Sequence, residues 1–273
     1  MTTAAGLDDL TVVVPVRNAE LLLEECLDSV VAAAPSEIIV VDGMSTDRTL
    51  EIASRYPVKV LSDDGRGLPV ARLLGAKTAT TRYLALVDAD VVLPEGSLLS
   101  LLQEFTEGGY VALQAGLESV GGPGYWGEAL ATHHRWGRSR WWFGLVATIF
   151  ERERLLDTGF DERFQSGEDI ELRWRLAQSG AKIGVSRTNV VTHRFADDSF
   201  GFARDQFVAD GEGLGRMIRK HGLSGVRLAL LPVLAAVRGI TISLLRRQAR
   251  WVRYYLAYTA YNYRAMWRGL RSP

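Results

Sequence analysis

Short apolar runs alternate with stretches of helical spacing along the first third of the chain. Leu10-Thr11-Val12-Val13-Val14-Pro15 predicts a buried strand that Pro15 stops, with Val16-Arg17-Asn18 as the following loop. Leu21, Leu22, Glu25, Cys26, Ser29 and Val30 share one helical face, so a helix runs to about Ala34. Glu37 to Val41 is a second strand, ending in Asp42-Gly43, and Ser45-Thr46-Asp47 supplies capping side chains for a helix from Arg48 to Tyr56. Pro57 to Leu61 is a third strand. Gly65-Arg66-Gly67-Leu68-Pro69 opens a helix to about Thr80, with Pro69 in its first turn. Tyr83 to Val87 is a fourth, apolar enough to be covered on both faces. This alternation predicts an α/β fold with a mainly parallel sheet and right-handed crossovers.

Beyond the fourth strand the pattern predicts a helix from Ser97 to Glu107 and strands over Tyr110–Gly116 and Val146–Phe150. Gly121-Gly122-Pro123-Gly124 reads as a flexible joint before an aromatic and basic segment ending in Trp141-Trp142-Phe143. Glu168-Asp169 opens a helix to about Ser179, which Gly180 ends. Ile183–Val185 and Val190-Val191 are short strands, and a helical region begins near Phe200.

The fourth strand ends in Asp88-Ala89-Asp90, at the strand end where open α/β sheets place their ligands. Alternate residues of an extended segment point the same way, so two carboxylates flank a small alanine and can share one hard cation. Mg²⁺ or Mn²⁺ suits oxygen ligands and completes its shell with substrate phosphates. A solvated strand end is the plain alternative. No Gly-x-Gly-x-x-Gly follows the first strand, which argues against a dinucleotide dehydrogenase.

The chain has 273 residues, 47% of them hydrophobic and 23% charged, enough for one large α/β domain or one domain with an appendage. Its single cysteine, Cys26, falls inside a predicted helix, which excludes an internal disulfide and a cysteine-based zinc site and fits a reducing compartment. Met1 to Gly6 lacks the charged and apolar sequence of a signal peptide. The formal net charge of zero hides a division. Residues 1–212 carry 20 basic and 32 acidic residues, a net of −12, whereas twelve basic and no acidic residues follow Glu212. Such a tail predicts an anionic partner.

Val14-Pro15-Val16-Arg17-Asn18, Val41-Asp42-Gly43-Met44-Ser45-Thr46-Asp47-Arg48-Thr49, Ala71-Arg72-Leu73-Leu74-Gly75-Ala76, Asp88-Ala89-Asp90 and Gly167-Glu168-Asp169-Ile170-Glu171-Leu172 occur in that order. Together, over roughly residues 10–195, they resemble a family 2 glycosyltransferase of GT-A fold, an inverting nucleotide-sugar transferase. Two positions depart from the family pattern. Leu73 stands where an Asn is usual. Arg173-Trp174-Arg175 follows the Glu-Asp directly, without the separate Gln-x-x-Arg-Trp of processive synthases, which favours transfer of a single sugar.

The resemblance implies roles. Pro15, Arg17, Asn18 and Asp42 surround the nucleoside, with Asp42 at the base or ribose. Asp47 either contacts the nucleotide or caps its helix. Arg72 reaches the base or phosphates unless it is a solvated helix arginine; Arg66 is a weaker candidate. Asp88 and Asp90, with His193 as a later ligand, hold Mg²⁺ or Mn²⁺, which bridges the diphosphate and neutralises the departing nucleotide. Asp169, favoured as the anion at a helix N-terminus, is the general base for the acceptor hydroxyl, and Glu168 orients the acceptor or binds the helix end. The plain alternative is that Glu168 and Asp169 cap their helix, and that His193 is structural. His133 and His134 receive no role. Trp126, Trp136, Trp141, Trp142 and Phe143 stack on a sugar, line a lipid groove or pack a core.

In the tail the longest uncharged run, Leu228 to Val237, is too short to span a bilayer. Arginines alternate there with Trp and Tyr, which predicts helices lying in an anionic membrane interface. The alternative is a helical hairpin packed on the catalytic domain or on another subunit; the apolar faces argue against nucleic acid. The expectation is therefore a GT-A catalytic domain over residues 1–199, with a donor half at 10–95 and an acceptor half at 96–199, followed by a basic helical extension over 200–273. Its partners are a nucleotide diphosphate sugar, uridine favoured, a hydroxyl or lipid-linked acceptor and an anionic membrane surface, with room for a homo-oligomer. The enzyme is expected in the cytoplasm, peripheral on the cytoplasmic face. Two competing readings are a sugar-nucleotide-forming nucleotidyltransferase, which usually has a Gly-rich, Lys-containing loop after strand one, and a non-catalytic scaffold that binds nucleotide sugars.

Overall fold

The computed structural model describes residues 5–137, 142–195 and 197–271, so Met1 to Ala4 and Trp141 lie outside the described residues. The chain divides into two compact units. One contains residues 5–118, 142–162 and 172–194; the other contains 119–137, 163–171 and 195–271. This partition differs from an expected boundary at residue 199, because two internal segments join the C-terminal helices.

The first unit is built on an eight-stranded sheet. Its strands are β1 (Leu10–Val16), β2 (Glu37–Asp42), β3 (Lys59–Ser62), β4 (Tyr83–Val87), β5 (Val91–Val92), β6 (Ala112–Val120), β7 (Ala147–Glu151) and β8 (Ile183–Arg194). The order is β3-β2-β1-β4-β7-β6-β8-β5. The first four are parallel, as the alternation predicts. β7 runs antiparallel to both β4 and β6, and β5 antiparallel to β8. The parallel pattern therefore covers only half the sheet. β8 is one long strand where two short ones are expected.

Strand β1 alternates between the two faces of the sheet. Val12 and Val14 join the layer formed with α1 (Leu23–Ala32) and with α4, which spans Ser97–Gly108, through Leu23, Leu27, Leu98 and Leu102. Val13 joins the opposite layer, formed with α3 (Leu68–Thr78) through Ala71 and Ala76. Helix α2 covers Thr49–Ala53, α5 Tyr125–Trp136, α6 Arg152–Thr158 and α7 Glu168–Gln178. Helix α5 occupies the aromatic and basic segment, to which the sequence pattern assigns no element; Trp126, Ala129 and Leu130 give it a helical apolar face that flanking glycines and interleaved polar residues obscure. At Gly75, α3 lies so close to β1 that an added Cβ would overlap Val13 Cγ1.

The second unit is helical. α8 (Phe200–His221) is capped by Ser199, whose Oγ accepts from Phe202 N at 3.1 Å. After it come α9 (Leu223–Val226), a 3₁₀ turn at Arg227–Leu230, α10 (Leu231–Leu245) and α11 (Val252–Arg271). Trp126, Phe207, Trp251, Tyr254, Tyr255 and Tyr258 form the core. Leu223–Leu245 is a continuous helical stretch of 23 residues, long and apolar enough to cross a membrane by length and composition. That corrects the expectation drawn from the uncharged run. A helix tolerates Arg227 and Arg238 because long arginine stems carry their charge away from apolar surroundings.

Replacing Gly75 by Ala should cost about 1–3 kcal/mol, the usual range for overpacking. Urea unfolding of the variant and of Gly75→Ala/Val13→Ala checks this; the double variant should recover part of the loss.

Candidate active site

The strand order reverses between β1 and β4: β2 and β3 extend the sheet to one side of β1 and β4 lies on the other. The β1–β4 pairing stops at Val13–Leu86, whereas β1–β2 continues to Val16–Asp42. The sheet therefore opens past Val13, at the kind of switch point where such folds bind ligands. Pro15, which lacks an N–H, falls where only one paired neighbour remains.

Two loops at this edge are stitched together. Asn18 Oδ1 accepts from Thr46 N at 2.8 Å, and Asn18 N donates to Ser45 Oγ at 2.9 Å. Ala19 N donates to Thr49 Oγ1 at 2.8 Å, and Glu20 N to Asp47 Oδ2 at 3.1 Å. Asp47 Oδ1 accepts from Thr49 N at 3.0 Å and from the Thr49 hydroxyl. Both Asp47 oxygens thus serve the loops. Although partial burial works against its charge, these hydrogen bonds hold the Asp47 carboxyl below its ordinary range. Asp42 is buried and accepts from Ser45 N at 3.2–3.3 Å. Arg17 is exposed, beside Gly43.

Arg72 is 1% exposed, which excludes the solvated-arginine alternative. Its Nη2 donates to Asp88 Oδ1 at 2.8 Å. Asp88 N donates to Val146 O at 2.9 Å and Cys26 Sγ to Asp88 O at 3.6 Å, so the main chain of Asp88 is fixed on both sides while Arg72 holds its carboxylate. Burial, then Asp90 and Asp88, raise the Cys26 thiol far above its ordinary range.

Asp90 pairs instead with His193, which the Val91–His193 register of β5 and β8 brings alongside. His193 Nε2 lies 3.2 Å from Asp90 Oδ2. Burial alone would lower the His193 pKa; the Asp90 charge and hydrogen bond, then Asp88, raise it instead. Asp90 Oδ1 is buried with no hydrogen-bond partner among the described residues. No group of three or more His, Cys, Asp or Glu side chains among them is placed to enclose a cation.

Sequence reasoning missed Asp63. It is buried, and its carboxylate accepts from Gly65 N at 2.8 Å and Gly67 N at 2.9 Å, which shapes the entry to α3. The signal was present as an aspartate two residues before a glycine. Arg66 is exposed, its Nε donating to Asp63 O at 3.0 Å.

Glu168 and Asp169 belong to the second unit, where α8 holds their loop. Glu168 is buried and Asp169 partly so. Gly167 and Gly213 approach backbone to backbone, and Arg216 Nη1 donates to Ser166 Oγ at 2.8 Å. Glu171, at 0% exposure, is met by Lys220 Nζ at 2.6 Å. The pair spans 49 positions, so no local pattern revealed it. His133 lies among Tyr254, Tyr255 and Tyr258, where burial and then Arg238 push its pKa down to about 4; His134 Nδ1 is 3.1 Å from Ser119 Oγ. Trp126 packs the helical core with Trp136 against it, Phe143 packs the sheet layer, and Arg173 stacks on Trp142 at 4.3 Å.

Comparison with known proteins identifies the family and the fold. Residues 11–165 match the family model described as glycosyl transferase family 2. The chain belongs to the family 2 glycosyltransferases, which sets aside the nucleotidyltransferase and scaffold readings. An uncharacterised glycosyltransferase of Mycobacterium tuberculosis is 32% identical over 184 residues, 64% of this chain and 82% of that protein. The pre-mycofactocin glycosyltransferase of the same species is 30% identical over 202 residues, 68% of this chain and 42% of that protein. Among solved structures, a mannosyltransferase from Pyrobaculum calidifontis in complex with GDP-Man and Mn²⁺ superposes with a TM-score of 0.66 at 18% identity, covering 95% of this chain and 87% of that one. S. aureus TarS in complex with UDP-GlcNAc gives 0.57 at 19% identity, covering 96% and 91%. These likenesses establish the GT-A fold.

Replacing Lys220 by Met should remove a counter-charge from the buried Glu171 carboxylate and cost about 3 kcal/mol. Chemical unfolding of Lys220→Met, Glu171→Gln and the double variant checks this; the double loss should be well below the sum of the single ones.

Proposed function

We propose that the protein transfers a single sugar, with inversion, from a nucleoside diphosphate sugar to a hydroxyl or lipid-linked acceptor. The donor is uridine-linked in this reading, although the structural relatives include both a GDP-Man and a UDP-GlcNAc complex. The observation that carries the reading is the pairing at the open strand end: Arg72 with Asp88, and Asp90 with His193.

The second pair fits a divalent cation. Asp90 offers a buried oxygen with no partner among the described residues, and His193 offers a ring nitrogen beside it. Together with Asp88 at the same strand end, they leave the remaining positions for diphosphate oxygens and water, the usual pattern for Mg²⁺ and Mn²⁺. When bound, the cation neutralises charge on the leaving diphosphate. Arg72 aims Asp88 through their 2.8 Å ion pair, and so acts through it rather than on the donor. Asp42, Pro15, Arg17 and Asn18 receive the nucleoside, while Asp47 keeps their loops in place. Asp169 takes the acceptor's hydroxyl proton as that oxygen attacks the anomeric carbon, and Glu168 steadies the same helix end.

In a folded Asp90→Ala variant, Mn²⁺ should no longer raise the thermal stabilisation given by a nucleoside diphosphate. An unchanged Mn²⁺ response would remove Asp90 from the cation site. Asp169→Asn should retain donor binding while turnover falls at least about a hundredfold, the low end for a general base. Most of the wild-type turnover surviving would reduce Asp169 to a helix cap.

A further inference from the structure

The Leu223–Leu245 stretch is amphipathic in an unusual sense. Its inward face is mostly small: Gly225, Leu228, Pro232, Ala236, Gly239 and Ser243 are buried. At Gly239 a Cβ would overlap the Tyr255 ring, so the helix lies directly on α11. Its outward face carries the large aliphatic side chains: Leu223, Val226, Leu230, Leu234, Val237 and Leu245 are all exposed, Leu223 at 94%. Only 28% of the apolar window is buried. A helix stabilised by water exclusion would place these residues inward. Small residues at the helix contact and large ones outward is how helices pack in lipid.

We propose that this outward face, with the arginines at its C-terminal end, docks in the plane of an anionic bilayer. Arg246, Arg247 and Arg250 follow the last exposed leucines and are themselves exposed, and no acidic residue follows Glu212. On α11, Leu256, Tyr263 and Trp267 are also exposed among Arg253 and Arg264, which extends the same chemistry, whereas Arg268 meets Glu212 at 3.1 Å. Apolar side chains enter the acyl boundary and arginines meet lipid phosphates.

The helix lies flat rather than crossing. Tyr263 Oη donates to Ala229 O at 2.7 Å, Arg238 Nη2 to Trp136 O at 2.5 Å and Tyr125 Oη to Arg250 O at 2.7 Å. Crossing the bilayer would break these ties and bare the buried Asn262 of α11.

Flotation of the full chain with phosphatidylcholine vesicles, with and without phosphatidylglycerol, tests the proposal. The chain should float with the anionic vesicles at 0.1 M salt and be only partly released at 1 M, where the Debye length falls to about 3 Å. Leu230→Glu/Leu234→Glu/Val237→Glu should lower the partition coefficient at least about a hundredfold. Arg246→Gln/Arg247→Gln should lower it roughly tenfold at low salt. Circular dichroism verifies folding, and Leu223→Glu, at the most exposed site, serves if the triple variant does not fold. Absence of flotation, or flotation indifferent to the glutamates, overturns the proposal. So does a lipid-free dimer in sedimentation velocity that the glutamates dissociate without any vesicle binding by the parent chain.

Discussion

A guanidinium sealed from water must meet a counter-charge, and Arg72 meets Asp88. The candidate site depends on this requirement. Arg72 reaches its position because α3 lies flush on β1 at Gly75, and Asp88 is presented because β4 parts from β1 beyond Leu86. The ion pair therefore locks a helix to the end of a strand at the place where the sheet opens. Asp90, two residues on, is left to His193 from the antiparallel half. Adjacent acids thus have different partners, one taken up by the scaffold and one holding an oxygen unsatisfied among the described residues.

What could be read from the sequence was what local physics decides. The four parallel strands show as unbroken apolar runs because both faces are covered, and their ends show as Asp42 and Asp88. The family motifs brought most site residues to one strand edge. Long-range pairing was not legible. The reversal of direction at β7, the continuity of β8 and the ion pair of Glu171 with Lys220 join positions that share no periodicity. Arg72 could not be told from a surface arginine, because helical spacing does not say which polar residue is drawn inward to a charge. Asp47 showed its capping chemistry in sequence, but not its bond to Glu20 across the neighbouring loop. The tail misled for a different reason. Counting uncharged residues measures a run, whereas the structure makes a longer helix through two arginines.

The two units solve the burial problem differently. In the first, β-branched and leucine side chains interdigitate on both faces of a sheet. In the second, tyrosine and tryptophan fill the core and small residues set the distance between helices, so the large aliphatic groups of α9 and α10 remain outside. That surface carries a solvation cost for as long as water is its only neighbour.

Cys26 lies beneath the same strand end, its thiol donating to the Asp88 carbonyl. Burial and two nearby carboxylates keep it protonated, and only the thiolate is nucleophilic. As the chain's only cysteine, it is silent toward alkylating reagents while α1 stays seated on the sheet. Its modification therefore clocks how often the floor under the paired aspartates opens, a local free energy distinct from that of global unfolding. A cysteine placed elsewhere on the surface would carry a label with little background from this buried one.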